Sequence, residues 1–410
     1  MAKRNVWIST YTFIYNGTMT NNAGPVAPLL GYFSKRTDTL YFLEQPLPGS
    51  DDLSARLRIF KSGKCVSDIK KNFLVYMPKN RLPSNKTYLL LKFRDFLSNL
   101  YFIFKHYNAL RKDPVDLFIG VESLNALCGI FFKKIGIVKK TVYYIFDWAP
   151  DRYKNRLMNA IYLWMDREAT YKSDATWNIT YAIADARRDI LHYDAKKMSC
   201  QFYVPYCVNV VDGMILPETD IDLDLMIYSG GLIEENGPFL LLEAFNILRK
   251  KFPAAKLRII GGNDLEKDIR EYLKKNDLIR SVEITGFIPC EAEVIRLQQR
   301  GVIGIAPYPD MKNSRKPFGD VIKIRMYFAT GLVVVSTPVP PVASEIRNER
   351  LGCVTKKSEA HELAESMFLL LSNKEELLNM RRRVVEKAKK SSWENNYSST
   401  LLNMGLSYLK

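Results

Sequence analysis

The sequence predicts an α/β protein built from two doubly wound units, each a parallel sheet with helices on both faces. Three observations carry this. Apolar runs of strand length alternate with helical patterns over residues 222–373. The same alternation recurs, less regularly, in the first half. A length of 410 residues, 47% of them hydrophobic, suits two medium cores better than one large core. Parallel strands need crossovers, and alternating helices supply them.

In chain order, the first half offers strands at 6–14, 39–44, 73–76, 115–121, 141–146, 175–180 and 201–205. Helices fit between them at 26–34, 88–112, 124–134, 156–172 and 182–193. An acidic, aperiodic connector at 209–222 follows. Buried strands are then expected at 225–230, 256–262, 282–287, 302–309, 332–339 and 353–355, with helices at 238–252, 265–276, 291–300, 322–330 and 343–348. Pro238 suits a helix start, where its missing N–H costs nothing, and Gly331 suits a helix end. The expected domains are residues 1–212 and 213–392, with 393–410 packing back on the first. Ligands of such sheets sit at strand carboxyl ends, here in a cleft between the domains.

Charge is the unusual quantity. Lys and Arg number 60 against 44 Asp and Glu, a net of +16. Residues 1–140 hold 22 basic and 9 acidic side chains, so +13 of the excess lies in the first third. An anionic partner for that region is expected. The segment 88–112 interleaves Tyr88, Phe93, Phe96, Tyr101, Phe102, Phe104 and Tyr107 with Lys92, Arg94, Lys105, Arg111 and Lys112. It reads either as a helix with one face in the core or as a basic aromatic helix on an anionic membrane surface. No groove-reading or base-stacking motif accompanies the charge, so nucleic acid is not the expected partner. The chain opens without a secretory-signal pattern and has no apolar stretch long enough to span a bilayer. Six scattered cysteines and three histidines form no disulfide framework or metal-ligand spacing. A cytoplasmic location, peripheral on the inner face of the membrane if lipid is the partner, is the expectation.

The sharpest constellation runs from Phe318-Gly319-Asp320 through Lys323 to Gly331. A loop ends at Gly319, a helix opens, and Lys323 falls in its first turn. Free N–H groups and the positive end of the helix dipole suit phosphate oxygens, and lysine adds a point charge. Tyr228-Ser229-Gly230-Gly231, with Asn236-Gly237-Pro238 opening the next helix, lets backbone approach a diphosphate closely. Thr285-Gly286-Phe287-Ile288-Pro289 offers a flat apolar wall for a nucleobase. All three lie at strand carboxyl ends of one sheet. In the first half, Asp147 follows a strand beside Trp148 and Pro150. Its carboxylate could accept an acceptor proton, with Trp148 stacking on the sugar, or could pair with Arg152. Glu122, after the strand 115–121, is a second candidate of that kind. Asp320 is placed to touch donor-sugar hydroxyls or to cap its helix.

The order of these features resembles the GT-B glycosyltransferases, most closely the family-four retaining group, over nearly the whole chain and best from Met226 to Gly352. The segments SGGLIEENGPFLLLEAFNIL, LRIIGG, VEITGF, VIGIAPYP and GDVIKIRMYFATGLVVVSTPV carry it. The resemblance implies a nucleotide-sugar donor, here a UDP- or GDP-sugar, held by the second domain, an acceptor held by the first, and no further cofactor. By position, Lys323 and the Gly230-Gly231 backbone would hold the diphosphate, with Arg315 or Lys316 helping. Phe287 and Ile288 would flank the base, and Gly24 would approach the diphosphate from the other side. Tyr327 and Thr337 belong to the same matched segment and join the donor-binding set.

Three departures stand out. Met326 occupies the place where many members carry the glutamate that holds the ribose hydroxyls, and methionine cannot accept those bonds. Gly231 and Asn236 stand where an Arg and a Lys are usual. No histidine occurs in the acceptor-side run 143–150. The resulting expectation is a metal-independent, retaining transferase acting on a lipid-linked sugar or polysaccharide precursor. The departures keep open a catalytically weak GT-B subunit that binds a sugar nucleotide.

Overall fold

Strand β1 (Asn5–Thr12) is buried along its whole length and pairs in parallel with a strand on either side. It is the axis of the first sheet of the computed structural model, which describes residues 4–15, 18–19, 24–73, 85–312 and 314–409. A small hairpin, β2 (Ile14–Tyr15) with β3 (Thr18–Met19), follows it. The remaining strands of this unit are β4 (Thr39–Pro46), β5 (Ala55–Lys61), β6 (Lys64–Lys71), β7 (Val115–Val121), β8 (Val138–Ile145), β9 (Ala175–Asn178) and β10 (Cys200–Tyr203). Their order is β10-β9-β8-β7-β1-β4-β5-β6. The order reverses between β1 and β7, so the carboxyl ends of these two strands mark the crevice where such sheets take ligands. The central β7 is buried throughout, as a parallel strand covered on both faces must be. Its one acidic residue, Asp116, accepts from the Asn5 N–H at 2.8 Å and Lys139 Nζ at 2.7 Å.

Two elements differ from expectation. The hairpin β5–β6 was not anticipated: Ser62 (φ 46°) and Gly63 (φ 82°) make a two-residue left-handed turn that joins antiparallel strands. The helix expected at 88–112 is two helices, Asn85–Lys105 and Tyr107–Lys112. The strand expected at 73–76 lies, after Phe73, outside the described residues.

Residues 1–205 and 396–410 form the first of two units, and residues 206–395 the second. The chain re-enters the first unit within the helix Trp393–Asn403, where Tyr397 stacks on Trp177 at 6.0 Å and Ser398 hydrogen-bonds the Tyr32 hydroxyl. All six cysteines are free. No described helix is long and apolar enough to cross a membrane.

The second sheet holds β11 (Leu225–Ser229), β12 (Lys256–Ile260), β13 (Val282–Ile284), β14 (Ile303–Ala306), β15 (Val333–Ser336) and β16 (Gly352–Val354). All are parallel, in the order β13-β12-β11-β14-β15-β16. This is the dinucleotide-fold order, reversing between β11 and β14. Its core packs Leu241, Leu242, Phe245 and Leu248 of the helix Pro238–Lys251 against the sheet. At the carboxyl edge, Gly261 (φ 150°) passes so close to Gly230 that an added Cβ would lie 2.0 Å from the Gly230 oxygen. Gly261→Ala should therefore cost about 2 kcal/mol or more of stability. Urea unfolding is the check, with a lower midpoint at unchanged slope.

Candidate functional site

The second unit builds a cationic corner at its switch point. β11 ends in Ser229, and Gly230 (φ 141°) turns the chain. The Gly231 carbonyl accepts from the Tyr228 hydroxyl at 3.1 Å and from Asn236 Nδ2 at 2.9 Å, which fixes the glycine loop. Opposite it, the helix Ile322–Ala329 begins after Val321, and Lys323 in its first turn reaches back toward Gly230. A Cβ on Gly230 would stand 3.1 Å from Lys323 Nζ, so glycine leaves the space the ammonium uses.

Lys323 Nζ is buried and has no hydrogen-bond partner. It lies 4.1 Å from the ring centre of Tyr228 and 5.0 Å from that of Tyr308. Burial drags its pKa down to about 7, and the like charge of Lys316 adds to the shift. Lys316 Nζ stands 5.1 Å from the same Tyr308 ring, and burial lowers its pKa as well. Two ammonium groups thus flank one aromatic ring. Tyr308, in the quoted segment VIGIAPYP, was not singled out from the sequence, and Tyr228 was named only as the residue opening the glycine turn. Among the described residues, no group of three His, Cys, Asp or Glu converges as a metal site.

Several sequence candidates turn out to be structural. Asp320 has a fully buried carboxylate that accepts from Arg325 Nε at 3.1 and 3.2 Å and from the Tyr206 N–H at 2.8 Å. It neither caps the helix nor faces a ligand, because its lone pairs are taken by the clamp. Burial pushes its carboxyl above the usual range while Arg325 pulls the other way. Arg325 also binds Glu345 at 3.0 and 2.8 Å, and Lys387 reaches Glu345 at 3.0 Å. This chain of charges locks the Lys323 helix to two neighbours. Tyr327, also buried, accepts from the Ser229 N–H at 2.8 Å and donates to the Ile305 carbonyl at 3.1 Å, joining the ends of β11 and β14. Thr337 is buried, donating to the Tyr308 carbonyl at 2.7 Å. Neither side chain is available to a donor.

Other candidates lie where a ligand could meet them. Phe287, 79% exposed, follows Gly286 (φ 72°), while Ile288 packs half-buried beneath the same edge. Asn236 is buried, with its Oδ1 lacking a partner. Arg315 is exposed on the loop ahead of the Lys323 helix.

In the first unit, Glu122 and Asp147 gather at the carboxyl edge beside Arg152 and Lys92. Glu122 directly follows β7 with φ 66°, a left-handed conformation uncommon outside glycine. Burial raises its carboxyl above the usual range, against the pull of Arg152 and Lys92. Asp147 is about half exposed and pairs with Arg152 at 3.1 Å, the structural alternative of its sequence reading. Trp148 is a correction: at 1% exposure it is a core residue, 5.8 Å from the Arg187 guanidinium, and cannot stack on a sugar. That guanidinium is fully paired with buried Asp166 at 2.6 and 2.9 Å. Gly24 takes a left-handed turn (φ 62°) just ahead of the helix Val26–Arg36, beside residues outside the described set.

Two doubly wound α/β units, each with its strand order reversing at the sheet centre, make up the GT-B fold. Residues 218–391, nearly all of the second unit, match the family of glycosyl transferases group 1. The fold is shared with sucrose-phosphate synthase of Thermosynechococcus elongatus (TM-score 0.61, 15% identity, over 99% of this chain and 98% of that one). It is shared with the catalytic domain of starch synthase IV of Arabidopsis thaliana bound to ADP and acarbose (0.61, 10%, all of both chains). It is shared too with HepE of Anabaena in complex with UDP (0.59, 14%, 75% and 82%). By sequence, no curated protein matches the chain.

The structural role of Tyr327 gives a direct test. Tyr327→Phe strands one buried N–H and one carbonyl at the switch point. It should lower stability by about 2–3 kcal/mol in urea unfolding, and nucleotide affinity, measured where the variant is still folded, should change little.

Proposed function

We propose that the protein transfers a sugar from a nucleoside diphosphate sugar to an acceptor hydroxyl, with retention and without a metal ion. The carrying observation is Lys323: a buried ammonium without a hydrogen-bond partner, beside a glycine turn, is suited to an anion. A donor diphosphate laid between Gly230-Gly231 and the Lys323 helix would supply that anion, and Lys316 would add charge. When the bond from the sugar to the diphosphate breaks, negative charge grows on the departing oxygen. Lys323 and the helix N-terminus would stabilise it, so the charge needs no metal there. Exposed Phe287 would lie on the base. UDP in HepE and ADP in starch synthase IV support a nucleoside diphosphate as the ligand and leave the base open.

On the acceptor side Glu122 is the better carboxylate. Asp147 is held in an ion pair, whereas the raised pKa of Glu122 makes it the stronger base toward an acceptor hydroxyl. A lipid-linked sugar or polysaccharide precursor fits the basic first third, and the cytoplasmic face of a membrane fits as its address. A second reading, a sugar-nucleotide-binding subunit without turnover, is favoured by Met326 and by the burial of Asp320. Nucleotide binding with no transfer to any acceptor in a broad panel would select it.

Lys323→Met should weaken UDP, GDP or ADP binding about a hundredfold in calorimetry. Wild-type binding above pH about 7 should take up close to one proton, because the bound diphosphate restores the ammonium. Affinity should therefore fall as pH rises through that value. Without ligand the sign reverses. The folded pKa lies below the unfolded value, so wild-type stability should rise from pH about 7 toward about 10.4, and Lys323→Met should lack that rise. Unchanged nucleotide affinity in the variant would refute the donor site. Glu122→Gln should keep nucleotide binding and lower transfer about a hundredfold or more in a product assay.

A further inference from the structure

The helix Asn85–Lys105 buries a polar cluster among its core residues and leaves an apolar stripe in solvent. Leu90, Phe93, Tyr101 and Phe104, spaced as one helical stripe, are 50%, 55%, 37% and 48% exposed. The buried side of the helix carries Arg94, Asp95, Ser98 and Asn99, each at most 1% exposed, beside the core residues Leu91, Phe102 and Ile103. That polar cluster is fully engaged. Arg94 donates to Asp95 at 2.6 Å and to the Pro46 carbonyl at 2.8 Å. Gln45 donates to Ser98 at 3.0 Å, Asn99 to Asn125 at 2.7 Å, and Asn125 back to Gln45 at 2.9 Å. Rotating the helix to hide the stripe would break this network and leave buried polar groups unpaired.

The stripe has a charge signature. From residue 90 to 112 the one carboxylate is Asp95, which is buried. The exposed charged side chains there, Lys105, Arg111 and Lys112, are all positive. Two ammonium groups, Lys71 at 5.5 Å and Lys105 at 5.9 Å, border the Tyr101 ring. A second copy seated on this face by twofold symmetry would meet like charge. The helix Arg156–Lys172 of the same unit carries another outward stripe, Leu157, Ile161 and Trp164. Both helices pack against the helix Glu122–Lys134, so one helical layer presents both stripes. Lys92, bonding the Tyr11 hydroxyl at 2.6 Å, ties the start of the first stripe to the end of β1.

We propose that this layer of the first unit docks on an anionic lipid surface, with the Leu90–Phe104 stripe in the interfacial region and Lys71, Lys105, Arg111 and Lys112 on anionic headgroups. Apolar burial and electrostatic attraction add in such binding. The inference stands on exposure and charge and does not depend on the transferase reading.

The test is co-sedimentation of the full chain with vesicles of phosphatidylcholine alone or mixed with phosphatidylglycerol. Pelleting is expected with the mixture alone and should be lost near 1 M salt, where the screening length is about 3 Å. The double variant Phe93→Ser, Phe104→Ser and the single variant Lys105→Glu should each partition about tenfold more weakly or worse. Their nucleotide binding should stay unchanged, which separates this outcome from a failure of the donor site. As a readout that does not rely on loss, emission of the introduced indole in Phe104→Trp should shift blue on adding the mixed vesicles. Equal pelleting with both vesicle types, no pelleting, undiminished binding of the double variant, or no emission shift would each overturn the proposal. So would a dimer in light scattering that the double variant abolishes, which would assign the stripe to a second copy.

Discussion

Lys323 brings a positive charge into a space that offers aromatic faces and no carboxylate within bonding reach. Removing an ammonium from water without a partner is expensive, and it persists only where the surroundings are stiff. The second unit supplies that stiffness from three directions. Gly230 yields room a side chain would take, the Tyr327 hydroxyl welds β11 to β14, and the Asp320–Arg325–Glu345–Lys387 series fixes the helix that carries the lysine. The charges in that series are matched, so the surplus charge is confined to the pocket. Local instability is concentrated where a ligand would relieve it.

The second sheet was legible because its strands are buried on both faces and so appear as unbroken apolar runs. The hairpin β5–β6 was not, because one face is solvated: Arg56, Arg58, Lys64 and Asp68 interrupt the pattern, and Arg56 and Asp68 pair with each other at 2.5 Å across it. Motif reading singled out Gly230, Lys323 and Phe287, which the structure shows to be a turn glycine, a buried lysine and an exposed ring. It misplaced Asp320, Tyr327, Thr337 and Trp148 for one reason. A motif places residue types near a ligand but not the direction of each side chain, and all four turn inward to satisfy backbone or core.

The two carboxylates of the first unit differ in how their backbones are held. Asp147 lies in an open stretch and gives its charge to Arg152. Glu122 is pinned at φ 66° between a fully buried strand and a helix. Its neighbour Gly120 faces Ala126 so closely that a Cβ would stand 2.3 Å from the Ala126 nitrogen. The tight strand-to-helix turn fixes the position of Glu122 through covalent geometry, while Asp147, about half exposed, is placed by its pairing with Arg152. Preorganisation of that kind is what a reacting carboxylate needs.

The helix Asn85–Lys105 has a consequence for how the chain can change over time. In most helices, solvent-facing positions accept almost any residue and core positions accept only apolar ones. Between residues 90 and 104 the rule holds at Leu91, Phe102 and Ile103 but runs backwards at the neighbouring positions. Serine at 98 and asparagine at 99 are held by partners that leucine could not satisfy, whereas Phe93 is 55% exposed and Phe104, though it meets Phe132 edge-on, is 48% exposed. Polar residues on that outer face would cost folding little at Phe93 and somewhat more at Tyr101 and Phe104, which meet neighbouring rings. The outer face can therefore be rewritten with less loss of folding than the buried polar cluster beneath it.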